Sequence, residues 1–267
     1  MKDAAIGVFD SGMGGLTVMR ALTQRLPSES FVYLGDTARL PYGTKGADTV
    51  ARYAVQAASA LMKRKIKLLV VACNTASGVA LPALNEAFAP LPVIDVIAPG
   101  AEAALAASPN GPIAVIATEG TVRAGAYERA IHARAPDVEV IQQACPLFVP
   151  LAEEGLVEGE IVDLAIHRYL DPVFASSPAS LVLGCTHYPV LKDAIARIAG
   201  PDIALVDSAA TVAAAAERKL AELDLLRQGA PMPQRFLATD AAERFARVGE
   251  IFLGSRIVPG SVELVDL

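Results

Sequence analysis

At 267 residues the chain is long enough for two lobes that each bury a core, and its 53% hydrophobic, 19% charged composition excludes a disordered or low-complexity protein. A net charge of −6, with no Lys/Arg cluster interleaved with aromatics, argues against a nucleic-acid partner. No uncharged apolar run reaches about 18 residues and MKDAAIGVFD has no signal-peptide core, so the expectation is a cytoplasmic protein with no membrane partner.

In chain order, the first predicted strand, Ala5 to Phe9, runs into DSGMGG and a helical pattern from Leu16 to Leu26. Glycines between strand and helix invite a phosphate-binding reading, but Thr17 stands where the dinucleotide fingerprint wants glycine and no Gly-Lys-Ser/Thr completes a P-loop. A tight turn with close backbone approach is preferred, and its amides suit a substrate carboxylate. Strand Ser30 to Gly35 leads into DTARLPYGTK (Asp36 to Lys45), where Pro-Tyr-Gly marks a functional loop and Arg39 either clamps a carboxylate or pairs with Asp36. A helical pattern from Asp48 to Arg64 ends in KRKIK (Lys63 to Lys67), which reads as a solvated helix end rather than a binding patch.

Strand Leu68 to Ala72 delivers Cys73-Asn74-Thr75, and Val93 to Val96 follows. Ile113 to Ala117 delivers Thr118 and Thr121, and after Val138 to Gln142 come Glu153 and Glu154, placed at a helix start where the dipole favours acids. Leu181 to Gly184 delivers Cys185-Thr186-His187. Ala204 to Val206, a helix from Thr211 to Leu225, Arg235 to Ala238 and Ser261 to Val265 complete the pattern.

Strands alternating with helices predict βαβ units around parallel sheets. IGVFDSGMGGLTVMRAL and IAVIATEGTVRAGAYERAI share a strand-turn-helix plan, and each half then reaches an apolar strand ending in cysteine. If the repeat is real, Cys73 and Cys185 are equivalent. Chance similarity between two βα units is the competing reading. The segment after Asp207 is short for a third domain and is expected to complete the first lobe, giving lobe 1 as 1–97 plus 208–267 and lobe 2 as 98–207.

Cys73, Cys145 and Cys185 lie far apart without a C-x-x-C pair, and so read as free thiols rather than disulfide or zinc ligands. A cysteine after an apolar strand is most often a small buried hydrophobe. Two of them before helix N-termini, where the dipole lowers a thiol pKa, also suit a two-base racemisation in which one thiolate removes an α-proton and the other thiol protonates the opposite face. Asp10 and His187 are the candidates to orient them. A thiol hydrolase using one cysteine with His187, and a non-catalytic two-lobed binding protein, remain open on the residues alone.

DSGMGG, GDTARLPYGTK, ACNTAS, ATEGTVRAGAY, CPLFVPLAEEG and LGCTHYPVL, in this order, closely resemble the glutamate racemase family of the aspartate/glutamate racemase superfamily. The resemblance implies an α/β fold of two pseudo-symmetric lobes, each a mostly parallel sheet flanked by helices, with the active site between them. It implies interconversion of L- and D-glutamate without cofactor or metal, supply of D-glutamate for peptidoglycan, and a homodimer. Aspartate or another α-amino acid is the alternative substrate. Cys73 and Cys185 match the two acid/base cysteines, and Asp10, Glu153 and His187 the polar residues that assist them. Ser11, Pro41, Tyr42, Gly43, Asn74, Thr75, Thr118, Thr121 and Thr186 match substrate contacts. Ala124, where serine is common, is a minor departure.

Overall fold

The computed structural model describes residues 2–108 and 111–267. Its strands are β1 (Ile6–Asp10), β2 (Phe31–Gly35), β3 (Leu68–Val71), β4 (Val93–Asp95), β5 (Ile113–Ala117), β6 (Val140–Ala144), β7 (Ser180–Gly184), β8 (Ala204–Asp207), β9 (Gln234–Ala238) and β10 (Val262–Leu264). The helices are α1 (Leu16–Arg25), α2 (Ala47–Met62), α3 (Asn74–Phe88), α4 (Ile97–Ala107), α5 (Glu119–Ala124), α6 (Ala126–His132), α7 (Phe148–Glu153), α8 (Glu160–Phe174), α9 (Lys192–Ala199), α10 (Ser208–Glu222) and α11 (Ala242–Leu253). All ten strands read from the sequence are present, each within two residues of its expected ends.

Two sheets result, ordered β10-β9-β2-β1-β3-β4 and β6-β5-β7-β8, and the pairings within both are parallel. The order β2-β1-β3-β4 is repeated as β6-β5-β7-β8, so the half-chain similarity corresponds to a shared topology. In it β3 and β7 are equivalent, and with them the cysteines that follow. The final segment adds β9 and β10 to the β2 edge of the first sheet.

Burial on both faces explains why these strands are continuous apolar runs. Ile6, Val8, Leu68 and Val70 point into one core with Ile113, Val115 and Val182, while their neighbours Phe9, Leu69 and Val71 pack under α2 and α3, and Ile116 and Leu183 under α8 and α9. The first of these cores contains residues of both sheets together with α1, α4, α10 and α11, so apolar packing is continuous from one sheet to the other.

Three local expectations change. The helical stretch after β5 is split at Gly125, whose φ of +60° ends α5 and starts α6; only glycine adopts that conformation without cost. Glu153 closes α7 instead of opening a helix, because the helix begins earlier, at Phe148. Lys67, read as part of a solvated helix end, is buried: its ammonium lies 2.5 Å from the Glu29 carboxylate and donates to the carbonyls of Lys2 and Leu225. Lys63 and Lys65 of the same stretch are exposed.

Candidate active site

In parallel sheets ligands bind beyond the carboxyl ends of strands, where the strand order reverses. Here those points lie between β1 and β3 in one sheet and between β5 and β7 in the other. Asp10, Ser11 and Cys73 occupy the first, and Thr118, Cys185 and His187 the second, at the C-terminal ends of these strands.

The two clusters meet along a tight seam. The Thr75 hydroxyl lies 3.0 Å from that of Thr118 and 3.2 Å from that of Thr121. Thr17 donates to the Thr186 carbonyl at 3.0 Å. Tyr127 on α6 donates to Asn74 Oδ1 on α3 at 2.7 Å. Glycines allow the close approach: a methyl group added to Gly43 would lie 2.8 Å from Thr118 Cβ, and one added to Gly14 only 2.4 Å from His187 Nδ1. The predicted residues Ser11, Gly43, Asn74, Thr75, Thr118, Thr121, Thr186 and His187 are thus brought to one place. Pro41 and Tyr42 come with the loop, but the Tyr42 hydroxyl is turned to Asp36, donating to its carboxylate. Arg39 also pairs with Asp36, at 2.6 Å, and stacks over Tyr53 at 4.1 Å, so it is a scaffold for that loop and not a free clamp.

Cys73 caps α3. Its sulfur accepts from the Ala76 amide at 3.4 Å and its thiol donates to Ser11 Oγ at 3.4 Å. The helix-dipole argument expected a lowered pKa, and burial reverses it. Burial and then the nearby Asp10 carboxylate push this thiol up to about 12, outweighing the Ser11 and Ala76 hydrogen bonds. At neutral pH Cys73 is therefore a thiol.

The Cys185 side is built differently. Its sulfur lies 3.8 Å from His187 Nδ1, and His187 Nε2 is 3.2 Å from Glu153 Oε1. Burial opposes the imidazolium, but the hydrogen bonds to Cys185 and Glu153 and the Asp10 charge outweigh it and raise His187 to about 10. Burial would raise Glu153, and hydrogen bonds from His187 and Arg244 bring it below the usual carboxylate range instead. Cys145, with its thiol toward the Gln143 carbonyl at 3.8 Å, belongs to the apolar core behind the second sheet.

Two buried polar atoms at the seam have no hydrogen-bond partner: Asp10 Oδ1 and Asn74 Nδ2. The first is an acceptor on a carboxyl whose pKa burial raises, and the second is a donor. Among the described residues no group of three or more His, Cys, Asp or Glu side chains is arranged to hold a metal, and no helix is long and apolar enough to cross a membrane.

Sequence reasoning missed Tyr127 and Arg244, whereas the close approach expected of the DSGMGG glycines is found at Gly14. Nothing in AYERAI or AAERFARV marks the tyrosine or the arginine, since their importance arises only where the two sheets meet. Tyr127→Phe would leave the buried Asn74 carbonyl oxygen unpaired, and is expected to cost about 1–3 kcal/mol of stability, read from urea unfolding midpoints. A loss below the error of that measurement would mean water replaces the phenol.

The sequence profile of the Asp/Glu/hydantoin racemase family matches residues 6–216. The chain is 48% identical over 264 residues to the glutamate racemase of Geobacter metallireducens, covering 98% of this chain and 97% of that one. Among solved structures it resembles glutamate racemase from Francisella tularensis in complex with D-glutamate, with a TM-score of 0.93 at 38% identity, covering 100% of this chain and 98% of that one. It also resembles glutamate racemase isoform RacE1 from Bacillus anthracis, with a TM-score of 0.95 at 37% identity, covering 100% and 99%.

Proposed function

The chain belongs to the Asp/Glu/hydantoin racemase family, and from that premise we propose that this amino-acid racemase interconverts L- and D-glutamate by a two-base exchange of the α-proton between Cys73 and Cys185. The observation that carries the reading is the equivalence of the two cysteines: each follows the same strand of the same topology, and the two strand ends meet at one seam.

The buried, unpartnered atoms suit an α-amino acid. Asn74 Nδ2 donates to the substrate carboxylate and Asp10 Oδ1 accepts from its ammonium, while Ser11, Thr75, Thr118, Thr121 and Thr186 supply further hydroxyls and amides. With the α-carbon held between the sulfurs, one removes the proton from one face as the other delivers a proton to the opposite face. The roles reverse for the other enantiomer. His187, with Glu153 behind it, stabilises a Cys185 thiolate, and Asp10 acts on the Cys73 side. Pro41, Tyr42 and Gly43 wall the site. Lobes 1–97 plus 208–267 and 98–207 hinge at the two crossings to admit substrate. Product D-glutamate feeds peptidoglycan synthesis in the cytoplasm, and the working form is a homodimer.

The test is racemisation of L-glutamate in D2O with no added cofactor, following optical rotation and α-deuterium by NMR. Loss of rotation with complete α-deuteration is expected from either enantiomer. Exchange with aspartate but not glutamate would move the substrate assignment, and tight binding without exchange would reduce the protein to a binder.

A further inference from the structure

Beyond the segment matched by the family profile, α11 reaches across the seam to the Cys185 side. Arg244, in its first turn, donates from Nη2 to Glu153 Oε2 at 2.9 Å, and the other carboxylate oxygen of Glu153 faces His187 Nε2 at 3.2 Å. Two turns later on the same helix, Phe252 meets the His187 ring edge-on with centroids 5.0 Å apart. A spacing of eight residues puts both side chains on one helix face. That helix packs on α1 and β10 of the first sheet, whereas Glu153 and His187 follow strands of the second. The imidazole is therefore held from both sides of the seam.

From this geometry we infer that Arg244 is a positioning residue for racemisation: bridging the two sheets, it fixes Glu153 against His187 and so keeps His187 charged beside Cys185. The inference rests on the two-cysteine reading of the site. A buried imidazolium persists only while its partners offset desolvation. The ionisable groups facing His187 are Cys185, Glu153 and Asp10, and those facing Glu153 are His187 and Arg244. Without the guanidinium, Glu153 keeps one donor in place of two and is free to turn from His187. Loss of the Arg244 contact therefore loosens the imidazole beside Cys185, which ties this side of the site to the docking of α11.

The test compares the full-length wild type with Arg244→Ala, Arg244→Gln and Arg244→Lys, reading kcat/KM against pH and, without substrate, the 15N shifts of the imidazole rings. Three histidines make the His187 signals assignable. Arg244→Ala and Arg244→Gln are expected to lower kcat/KM roughly tenfold and to move its basic limb and the His187 titration about one pH unit toward acid, with Arg244→Lys recovering most of both. Direct repulsion between Arg244 and His187 would act the other way, so an upward or absent shift of the His187 titration overturns the proposal. A loss that is equal at every pH, with the titration unmoved, overturns it too by reducing Arg244 to a structural contact. Because the NMR titration needs no turnover, it decides the point even if the cysteine variants remain active and the two-base reading falls.

Discussion

Cys73→Ala and Cys185→Ala are each expected to lower glutamate racemisation on the order of 10⁴-fold, the upper end of what a positioned proton-transfer group contributes. In the proposed mechanism neither sulfur can stand in for the other, because they follow strands of different sheets and would serve opposite faces of the α-carbon. Each truncation removes one buried sulfur from an apolar cluster, so the stability cost stays near ~1 kcal/mol and circular dichroism should be unchanged. A sharper signature accompanies the loss. Each variant keeps one base, so each should wash deuterium into one enantiomer only, and the two variants should choose opposite enantiomers. Full activity in either single variant would sink the two-base mechanism. Exchange of both enantiomers by one variant would point to a single base with access to both faces.

The second large effect is expected at Gly14, in the turn after β1. A methyl group at Gly14 would lie 2.4 Å from His187 Nδ1, 2.5 Å from its Cε1 and 2.6 Å from Thr186 Oγ1, and all three atoms belong to buried side chains. The ring must shift, and its 3.8 Å contact with Cys185 is lost first. A displacement near 1 Å costs about 10²-fold in rate. Gly14→Ala should show that loss in kcat/KM. Gly46→Ala is the control, since a methyl there meets nothing within 4 Å. Equal activity of the two variants would mean that the seam in solution is looser than this geometry.

The strands were legible because they are buried on both faces, so each is an unbroken apolar run ending where the chain turns polar. The cysteines were legible for the same reason: a residue just past such a run sits at the sheet's ligand-binding end. What a strand pattern cannot carry is the company a side chain keeps after folding. Lys67 looked like its exposed neighbours Lys63 and Lys65, yet its partner Glu29 comes from the turn before β2. Arg39 had two plausible fates, and the choice was made by the Asp36 carboxylate and the Tyr53 ring. Cys73 has the local setting of an acidic thiol, but the tertiary burial that reverses its titration is set by residues from elsewhere in the chain. Arg244 is one more arginine on an amphipathic helix until α11 is docked.

The second sheet is drawn from one continuous stretch, residues 113–207, whereas β2 of the first sheet must pair with β9, Phe31 opposite Gln234. During synthesis the first strands of the chain therefore emerge with an open β2 edge, which waits for β9 until the chain is nearly complete. Pairing at such sequence separation is slow, and an unpaired edge is a template for association with other chains. The first sheet therefore reaches its full width only when the C-terminal segment has been made, and α11, which carries Arg244 to Glu153, arrives with it.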